Sequence, residues 1–242
     1  MILTLEEMSL NAWPSLQQVL LDGWVLRFSH GYTRRANSIN PIYPGTLALP
    51  EKIAYCERLY QAHKLPVIVK ITPAVQPAGL DEILMERGYT RQAESEVMTH
   101  SVPGVPHPRG VHCCNDRPDD WLAAYTNFSN LSPMDSRTHA TIITALAVPH
   151  MLALALDGDT PVACGLGILD RGYLGLFDII THPEYRRQGH GTRVLHVLFA
   201  WAYNHGVQHT YLQVMTSNLP ALTLYRRLGF QSAYTYWYRV RS

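Results

Sequence analysis

Alternating and helical patterns of apolar residues follow one another at close spacing in the C-terminal half of the chain. They predict helices over 119–127, 136–147, 189–205 and 218–228, and strands over 151–156, 162–169, 173–181, 210–215 and 232–240. In the long third helix, Leu195, Leu198 and Ala202 fall on one face. This order of elements predicts an α/β fold (α+β in character) with a mixed sheet.

The N-terminal part shows a less regular succession of the same two patterns. It predicts helices over 51–63 and 80–87, and strands over 65–71, 94–102 and 23–40, the last being a strand or a hairpin. The stretch 103–110 then holds three prolines and two glycines, which cannot continue a helix or a central strand. We therefore predict a domain boundary, with an N-terminal α/β lobe at 1–103 and a second domain at 110–242.

The composition excludes several classes of function. Hydrophobic residues make up 47% of the 242 positions and charged residues 16%, which suits a protein with a substantial core and not a disordered one. The formal net charge is +1, and no basic stripe with interleaved aromatic residues is present, so we expect no nucleic-acid partner.

The sequence favours the cytoplasm. The first residues lack the basic and long apolar segments of a secretory signal, and no window reaches the ~18 apolar residues of a membrane span. The four cysteines form no C-x-x-C motif, and Cys113 and Cys114 are adjacent, so we expect reduced thiols. We predict no metal site.

The most informative motif is the stretch 186–191, Arg-Arg-Gln-Gly-His-Gly, which follows the predicted strand 173–181 and opens a helix. Helix starts present unpaired N–H groups and a positive dipole end, and glycine lets a ligand approach the backbone closely. This combination is typical of phosphate binding. The motif lacks the third glycine of a dinucleotide fingerprint and the Gly-Lys-Ser/Thr of a P-loop.

The motif resembles R/Q-x-x-G-x-G/A, the coenzyme A pyrophosphate loop of the GNAT acetyltransferase superfamily. A second block, 212–218 with Ala221 and 224–230, is similar to the C-terminal signature of that superfamily. The resemblance covers about 110–242. It implies a GNAT-like fold with an additional N-terminal α/β lobe, and an N-acetyltransferase that moves an acetyl group from acetyl-CoA to a primary amine by direct attack.

The resemblance also implies roles for individual residues. The main chain of Ile179, Ile180 and Thr181 would hydrogen-bond the pantetheine arm like an added strand. Asn218 would bind the coenzyme, and Tyr225 would protonate the departing thiolate. The pyrophosphate would lie on backbone N–H groups of a loop formed by Arg186, Arg187, Gln188, Gly189, His190, Gly191 and Thr192.

Structural interpretations of the same residues stay open. The two glycines also suit a tight strand-to-helix turn without a ligand. Tyr225 also fits a core tyrosine, and Asn218 also fits a helix N-cap, a position that asparagine favours. Arg186 and Arg193 also fit solvated charges at the start of a helix.

The base that deprotonates the amine is the point where this sequence departs from the superfamily pattern. Many members carry a glutamate where this chain has Gln213, and glutamine accepts no proton. Asp178 is the best substitute, because it interrupts an apolar strand face where desolvation raises a carboxyl pKa. The alternative, which the sequence favours slightly over the base, is a structural Asp178 bonded to nearby backbone, and His182 is a weaker candidate base.

The N-terminal lobe carries one conspicuously polar run, 31–38, with Arg34 and Arg35. We hypothesise that these arginines face the acceptor and pair with a carboxylate on it; solvated surface arginines are the alternative. The end of the lobe, 80–89 and the strand after it, faintly resembles the last helix and strand of a GNAT unit. The lobe is therefore interpreted as a degenerate half on the acceptor side that binds no coenzyme.

Two other functions stay open at this point. The absence of a carboxylate at Gln213 suits a non-catalytic acyl-CoA sensor or regulatory subunit, whereas the retained Tyr225 disfavours one. Transfer of a bulkier acyl group is the third possibility. The acceptor itself, a small-molecule or peptide amine, and the oligomeric state are not determined by the sequence, and no membrane partner is expected.

Overall fold

The computed structural model describes residues 1–104 and 109–242, so part of the predicted boundary at 103–110 lies outside the described residues. The helices of this described part are α1 Ile2–Ala12, α2 Leu49–Ala62, α3 Leu80–Glu86, α4 Pro118–Ser129, α5 Pro133–Thr144, α6 His190–Asn204 and α7 Leu219–Arg227. Its strands are β1 Gln17–Leu21, β2 Trp24–Phe28, β3 Ile39–Pro41, β4 Val67–Ile71, β5 Thr90–Ser101, β6 Val111–Cys113, β7 His150–Asp157, β8 Thr160–Asp170, β9 Tyr173–Thr181, β10 His209–Met215 and β11 Gln231–Arg241.

The chain divides into two compact units. Residues 1–98 and 214–242 form one, called here the terminal unit, and residues 99–213 form the other, the central unit. The sequence division into 1–103 and 110–242 does not coincide with these units. As a statement about independent domains, that division stays a prediction.

The sheet of the terminal unit contains strands from both ends of the chain. Its strands lie in the order β1-β2-β3-β4-β11-β5, with β5 belonging to this unit as far as Met98. The β3–β4 pair is parallel and the β1–β2, β2–β3 and β4–β11 pairs are antiparallel, with Trp237 of β11 opposite Ile71 of β4. A core that includes Trp24, Leu26 and Tyr60 packs on this sheet. The last strand therefore completes the sheet of the N-terminal lobe.

The central unit holds the strands β6, β7, β8, β9 and β10 in that order. The first four pair antiparallel, and β9 pairs with β10 in parallel. Helices α4 and α6 both pack against β7, β8 and β9. The predicted mixed α/β class is confirmed.

The patterns of the C-terminal half predict the elements well, and that of β9 matches from Tyr173 to Thr181. Three elements, α1, β1 and β6, were not predicted from the sequence. The pattern of α1 was present in the sequence, because Leu5, Met8 and Ala12 recur at helical spacing and are all buried. Within the described residues, every helix is too short or too polar to cross a membrane.

Candidate active site

Strand β9 contains a bulge at the position of the predicted base. The β8–β9 register runs from Leu166 opposite Phe177 to Cys164 opposite Ile180, so two residues of β9 face one residue of β8, Gly165. The first of the two, Asp178, has a left-handed backbone with φ 50°. A Cβ atom on Gly165 would lie 2.6 Å from the Ile179 Cδ1 atom and 2.7 Å from the Val194 Cγ1 atom, so glycine leaves room for these two side chains beside the bulge.

Beyond the bulge, β9 continues past the end of its ladder with β10. Within the described residues, the parallel ladder covers Tyr173–Leu176 and ends where Leu176 faces Leu212, although β9 continues to Thr181. The residues from Ile179 to Thr181 are half-buried. An extended strand beyond the end of its ladder can accept a further extended segment as a partner. The predicted arm-binding residues Ile179, Ile180 and Thr181 all lie in this part of the strand.

The predicted phosphate loop forms the start of α6. Arg187 and Gly189 both have left-handed backbones, with φ 63° and 87°, and His190 is the first helical residue. Gly189 occupies the N-cap without a capping side chain, and the first turn holds no acidic residue. The N–H groups of this turn therefore lack a side-chain acceptor and favour an anion.

Glycine is favoured at the two glycine positions of the loop for different geometric reasons. A Cβ atom on Gly191 would lie 3.2 Å from the Thr181 Oγ1 atom, so Gly191 lets α6 start close to the end of β9. The space around Gly189 is open to 4 Å, and only its positive φ favours glycine.

The polar side chains near the loop make bonds to backbone groups. The Arg186 Nε atom lies 3.5 Å from the Thr181 carbonyl oxygen, and Gln188 Nε2 donates to Glu184 O at 3.3 Å. Arg193 is a tether and not a solvated charge, because its Nη2 atom donates to Arg109 O at 2.9 Å. Its Nη1 atom lies 3.1 Å from Nδ1 of the buried His190 ring. The loop is thus anchored by side chains at the start of α6, whose N-cap residue provides no capping side chain.

The predicted residues of the second block lie on α7 in the terminal unit. Asn218 caps the helix, with its Oδ1 atom accepting from Ala221 N at 3.2 Å. Tyr225 is buried and packs against Phe230, with the ring centroids 5.7 Å apart. Burial raises the pKa of Tyr225 to about 12. The N-cap and core interpretations therefore describe these side chains correctly, and their coenzyme roles stay predictions.

The structure gives Asp178 a partner that the sequence analysis missed. His139 of α5 places its Nε2 atom 2.9 Å from the Asp178 Oδ2 atom, and the two side chains are 0% and 2% exposed. The His139 ring also stacks on Tyr125, with centroids 4.3 Å apart. The two partners are 39 residues apart, so no local pattern indicates the pair.

Gln213, the weaker base candidate His182 and the predicted acceptor residues lie elsewhere. Gln213 lies in β10, and His182 caps a short 3₁₀ turn, Pro183–Tyr185, by accepting from Glu184 N at 3.3 Å. In the terminal unit, Arg34 donates to the Gln92 side chain at 3.0 Å. Arg35 lies over the Trp13 ring at 4.6 Å. Their acceptor role stays a prediction.

Comparison with known proteins gives matches over nearly the whole chain. A family model described as "Probable histone acetyltransferase Rv0428c C-terminal" matches residues 1–239. An uncharacterized N-acetyltransferase, YobR of Bacillus subtilis, is 29% identical over 98% of this chain and 97% of its own length. The probable histone acetyltransferase Rv0428c of Mycobacterium tuberculosis is 24% identical over 95% of this chain and 70% of its own length.

A shorter match and two solved structures complete the comparison. The ribosomal protein bS18-alanine N-acetyltransferase of Escherichia coli is 41% identical over 58 residues, 24% of this chain and 39% of that protein. A GCN5-related N-acetyltransferase from Kribbella flavida superposes with a TM-score of 0.72 at 18% identity, covering 99% of this chain and 94% of its own. A second, from Sphaerobacter thermophilus, has a TM-score of 0.61 at 17% identity, with 90% and 76% covered. The fold is the one these two structures share.

Proposed function

The chain belongs to the Rv0428c C-terminal acetyltransferase family and is a GNAT-type acetyltransferase, and on that premise we propose that it transfers an acetyl group from acetyl-CoA to a primary amine. The observation that carries the proposal is the stretch of β9 beyond the end of its ladder with β10, which leads into a start of α6 that has no side-chain cap among the described residues. The extended polar arm of coenzyme A suits the strand, and the pyrophosphate at its end suits the helix start that follows the strand.

The residues of the central unit fit acetyl-CoA chemically. The edge from Ile179 to Thr181 offers main-chain donors and acceptors to the pantetheine amides. The first turn of α6 offers N–H groups to the pyrophosphate, and Gly191 keeps that turn free of a Cβ atom that would approach Thr181. Arg186 and Arg187 are exposed beside the turn and add positive charge.

Bound acetyl-CoA would supply an acetyl thioester that a neutral amine can attack directly. Tyr225 is proposed to donate its phenolic proton to the thiolate that leaves. Since burial raises the pKa of Tyr225 to about 12, the phenol holds its proton throughout the physiological range and is ready to act as the acid.

The amine must lose a proton before it attacks, and a lysine side chain with a reference pKa of ~10.4 needs more help than an α-amine near ~8. The sequence offers Asp178 as a candidate base, but the structure favours a different role for its carboxylate. Its carboxylate already bonds to His139, so a proton taken up there would compete with that bond. An α-amine acceptor needs the least help from a base, because its reference pKa is the lower of the two.

The acceptor is proposed to be a small-molecule or peptide amine. One relative is named for acetylating an alanine of ribosomal protein bS18, and another is named a probable histone acetyltransferase. Both names refer to protein acceptors. Peptide amines are therefore the first acceptors to test.

The proposal is tested with a panel of amines incubated with acetyl-CoA and the full chain, with free thiol release as the readout. The panel holds an alanine-initiated peptide, its N-blocked form with an internal lysine, spermidine and a free amino acid. We expect thiol release that depends on one amine class, with an acetylated product of matching mass. Release at the same rate without an amine, or no release with any amine, contradicts the proposal; longer acyl-CoA donors in the same assay measure acyl preference.

The pH profile provides a prediction about the acid. Because the pKa of Tyr225 lies near 12, its protonated form persists well above neutrality, so kcat at saturating substrates should show no decline between pH 7 and pH 10 from loss of this proton. A falling limb in that range that persists in Tyr225→Phe belongs to another group, whereas one that disappears in Tyr225→Phe would contradict the high pKa of Tyr225.

The arginines of the polar run provide a second prediction. The double substitution Arg34→Ala/Arg35→Ala should raise the acceptor KM several-fold, about three- to tenfold for loss of an exposed charge pair, while the KM for acetyl-CoA stays unchanged. Arg58→Ala/Arg87→Ala is the matched control in the same unit. Equal acceptor KM values in both double variants would reject an acceptor role for Arg34 and Arg35.

A further inference from the structure

The bulge residue Asp178 buries its side chain and exposes its main chain. Its side chain is only 2% exposed, whereas the residue as a whole is half-buried. The accessible surface of Asp178 therefore belongs to its backbone. Because its φ of 50° lies in the left-handed region, which a non-glycine residue adopts only when its surroundings hold it there, something must fix the side chain in place.

The contact that fixes the side chain comes from α5. His139 is fully buried and donates from Nε2 to the Asp178 carboxylate at 2.9 Å. Its ring packs on two aromatic rings of α4, Tyr125 at 4.3 Å and Trp121 at 5.8 Å, which also stack on each other at 5.5 Å. An imidazole packed in this way has one orientation, so it fixes the position of the carboxylate to which it bonds.

The strand opposite the bulge is held by the same aromatic group. The Trp121 indole Nε1 lies 3.2 Å from Gly165 O and 3.1 Å from Ala153 O. Gly165 is the single residue that faces the two bulged residues of β9. Side chains of α4 and α5 thus bind both sides of the bulge, one through the Gly165 carbonyl and the other through the Asp178 carboxylate.

We propose that His139 and Asp178 are a positioning pair that, with Trp121, holds the bulged backbone of β9 outward as the coenzyme-binding edge. This inference rests on the proposed function, because it takes the arm of coenzyme A as the ligand of that edge. It assigns Asp178 a role through its neighbours: the carboxylate anchors the residue, and the main chain from Ile179 to Thr181 binds the arm of coenzyme A. The rival role, proton acceptance by Asp178, requires the carboxylate itself to react.

Two substitutions at one position separate these roles. Asparagine tolerates a left-handed backbone and still accepts a hydrogen bond from His139, but it takes up no proton. Glycine tolerates the backbone angle and removes the anchor. Arg171→Gly is the matched control, because Arg171 has φ 48° in the β8–β9 turn of the same unit and lies away from the bulge.

The experiment measures the Kd of coenzyme A by calorimetry, amide hydrogen exchange of the peptide 177–181, and kcat with the acceptor found in the amine panel. We expect Asp178→Asn to stay within threefold of the wild type in Kd and kcat. Asp178→Gly should weaken coenzyme A binding about tenfold, as for a lost bond to a charged group, and speed exchange at 177–181 even without coenzyme. Arg171→Gly should change neither quantity.

Three other results would overturn the inference, and each of them points to a different explanation. A large fall in kcat for Asp178→Asn with an unchanged Kd assigns Asp178 to proton acceptance instead. Unchanged binding and exchange in Asp178→Gly removes the positioning role. Failure of the wild type to bind coenzyme A overturns the proposed function and with it the coenzyme half of the inference, while the exchange data still decide whether the pair holds the bulge.

A second variant covers the case in which Asp178→Gly does not fold. Trp121→Phe keeps a large ring beside His139 and removes the indole N–H that binds Gly165 O. We expect a several-fold weaker coenzyme A Kd and faster exchange at 177–181, with kcat at saturating coenzyme nearly unchanged. Wild-type values for both Kd and exchange would contradict the proposed support of the bulge.

Discussion

Replacing Tyr225 by phenylalanine is expected to lower kcat by roughly 10²-fold, the lower end of what a positioned general acid contributes. The substitution removes only the hydroxyl, and the ring keeps its packing against Phe230. The Kd of coenzyme A should therefore stay within about twofold, since the phenol acts on the developing thiolate and not on the bound coenzyme. Steady-state kinetics of acetyl transfer and calorimetric titration with coenzyme A measure the two quantities.

Tyr89→Phe is the control for this substitution. Tyr89 is also buried in the terminal unit, and its hydroxyl donates to Glu57 at 2.9 Å. Its loss should cost about 1 kcal/mol of stability, as for an ordinary hydrogen bond, without altering kcat. Turnover in Tyr225→Phe equal to that of Tyr89→Phe would remove Tyr225 from the mechanism and leave it as a core residue.

Replacing Gly189 by valine is expected to weaken coenzyme A binding about 10- to 100-fold, the effect of losing a hydrogen bond to a charged group. Gly189 has φ 87°, a conformation that a β-branched residue avoids. The loop must therefore shift, and the N–H groups at the start of α6 move with it. Since no atom lies within 4 Å of the new Cβ atom, the effect comes from the backbone and not from a clash inside the protein.

Gly172→Val provides the matched comparison for this loop substitution. Gly172 has φ 78° and an equally open environment, but it lies in the turn between β8 and β9. Both variants bear the same kind of backbone strain, so their melting temperatures should fall by similar amounts. Only the variant at Gly189 should lose affinity for coenzyme A; equal affinities would refute the assignment of the phosphate loop.

Local patterns predicted much of the central unit. The run 173–181 gave both ends of β9, and the glycine spacing located the start of α6 within one residue. Such elements depend on residues close in sequence: side-chain alternation, helical periodicity and the backbone freedom of glycine. The superfamily resemblance, which rested on the same loop and on the block around Tyr225, is confirmed by the family match over residues 1–239.

The bulge in β9 is a feature that local sequence patterns do not predict. Asp178 stood out in the sequence as a polar residue within an apolar strand, and that observation was sound. A bulge shifts the alternation of faces by one residue, so a strict period of two assigns faces only as far as Phe177. The partner of the carboxylate, His139, comes from another helix and could be identified only from the packing.

The sequence by itself therefore determined the element order of the central unit, the glycine loop at the start of α6 and the superfamily. These features depend on the spacing of apolar residues and glycines that lie close together in the sequence. The tertiary structure alone decided that β11 pairs with β4 in the terminal unit, and that His139 and Trp121 hold the bulge of β9. Those contacts join residues far apart in sequence, and which of them form depends on how the helices and strands pack on one another.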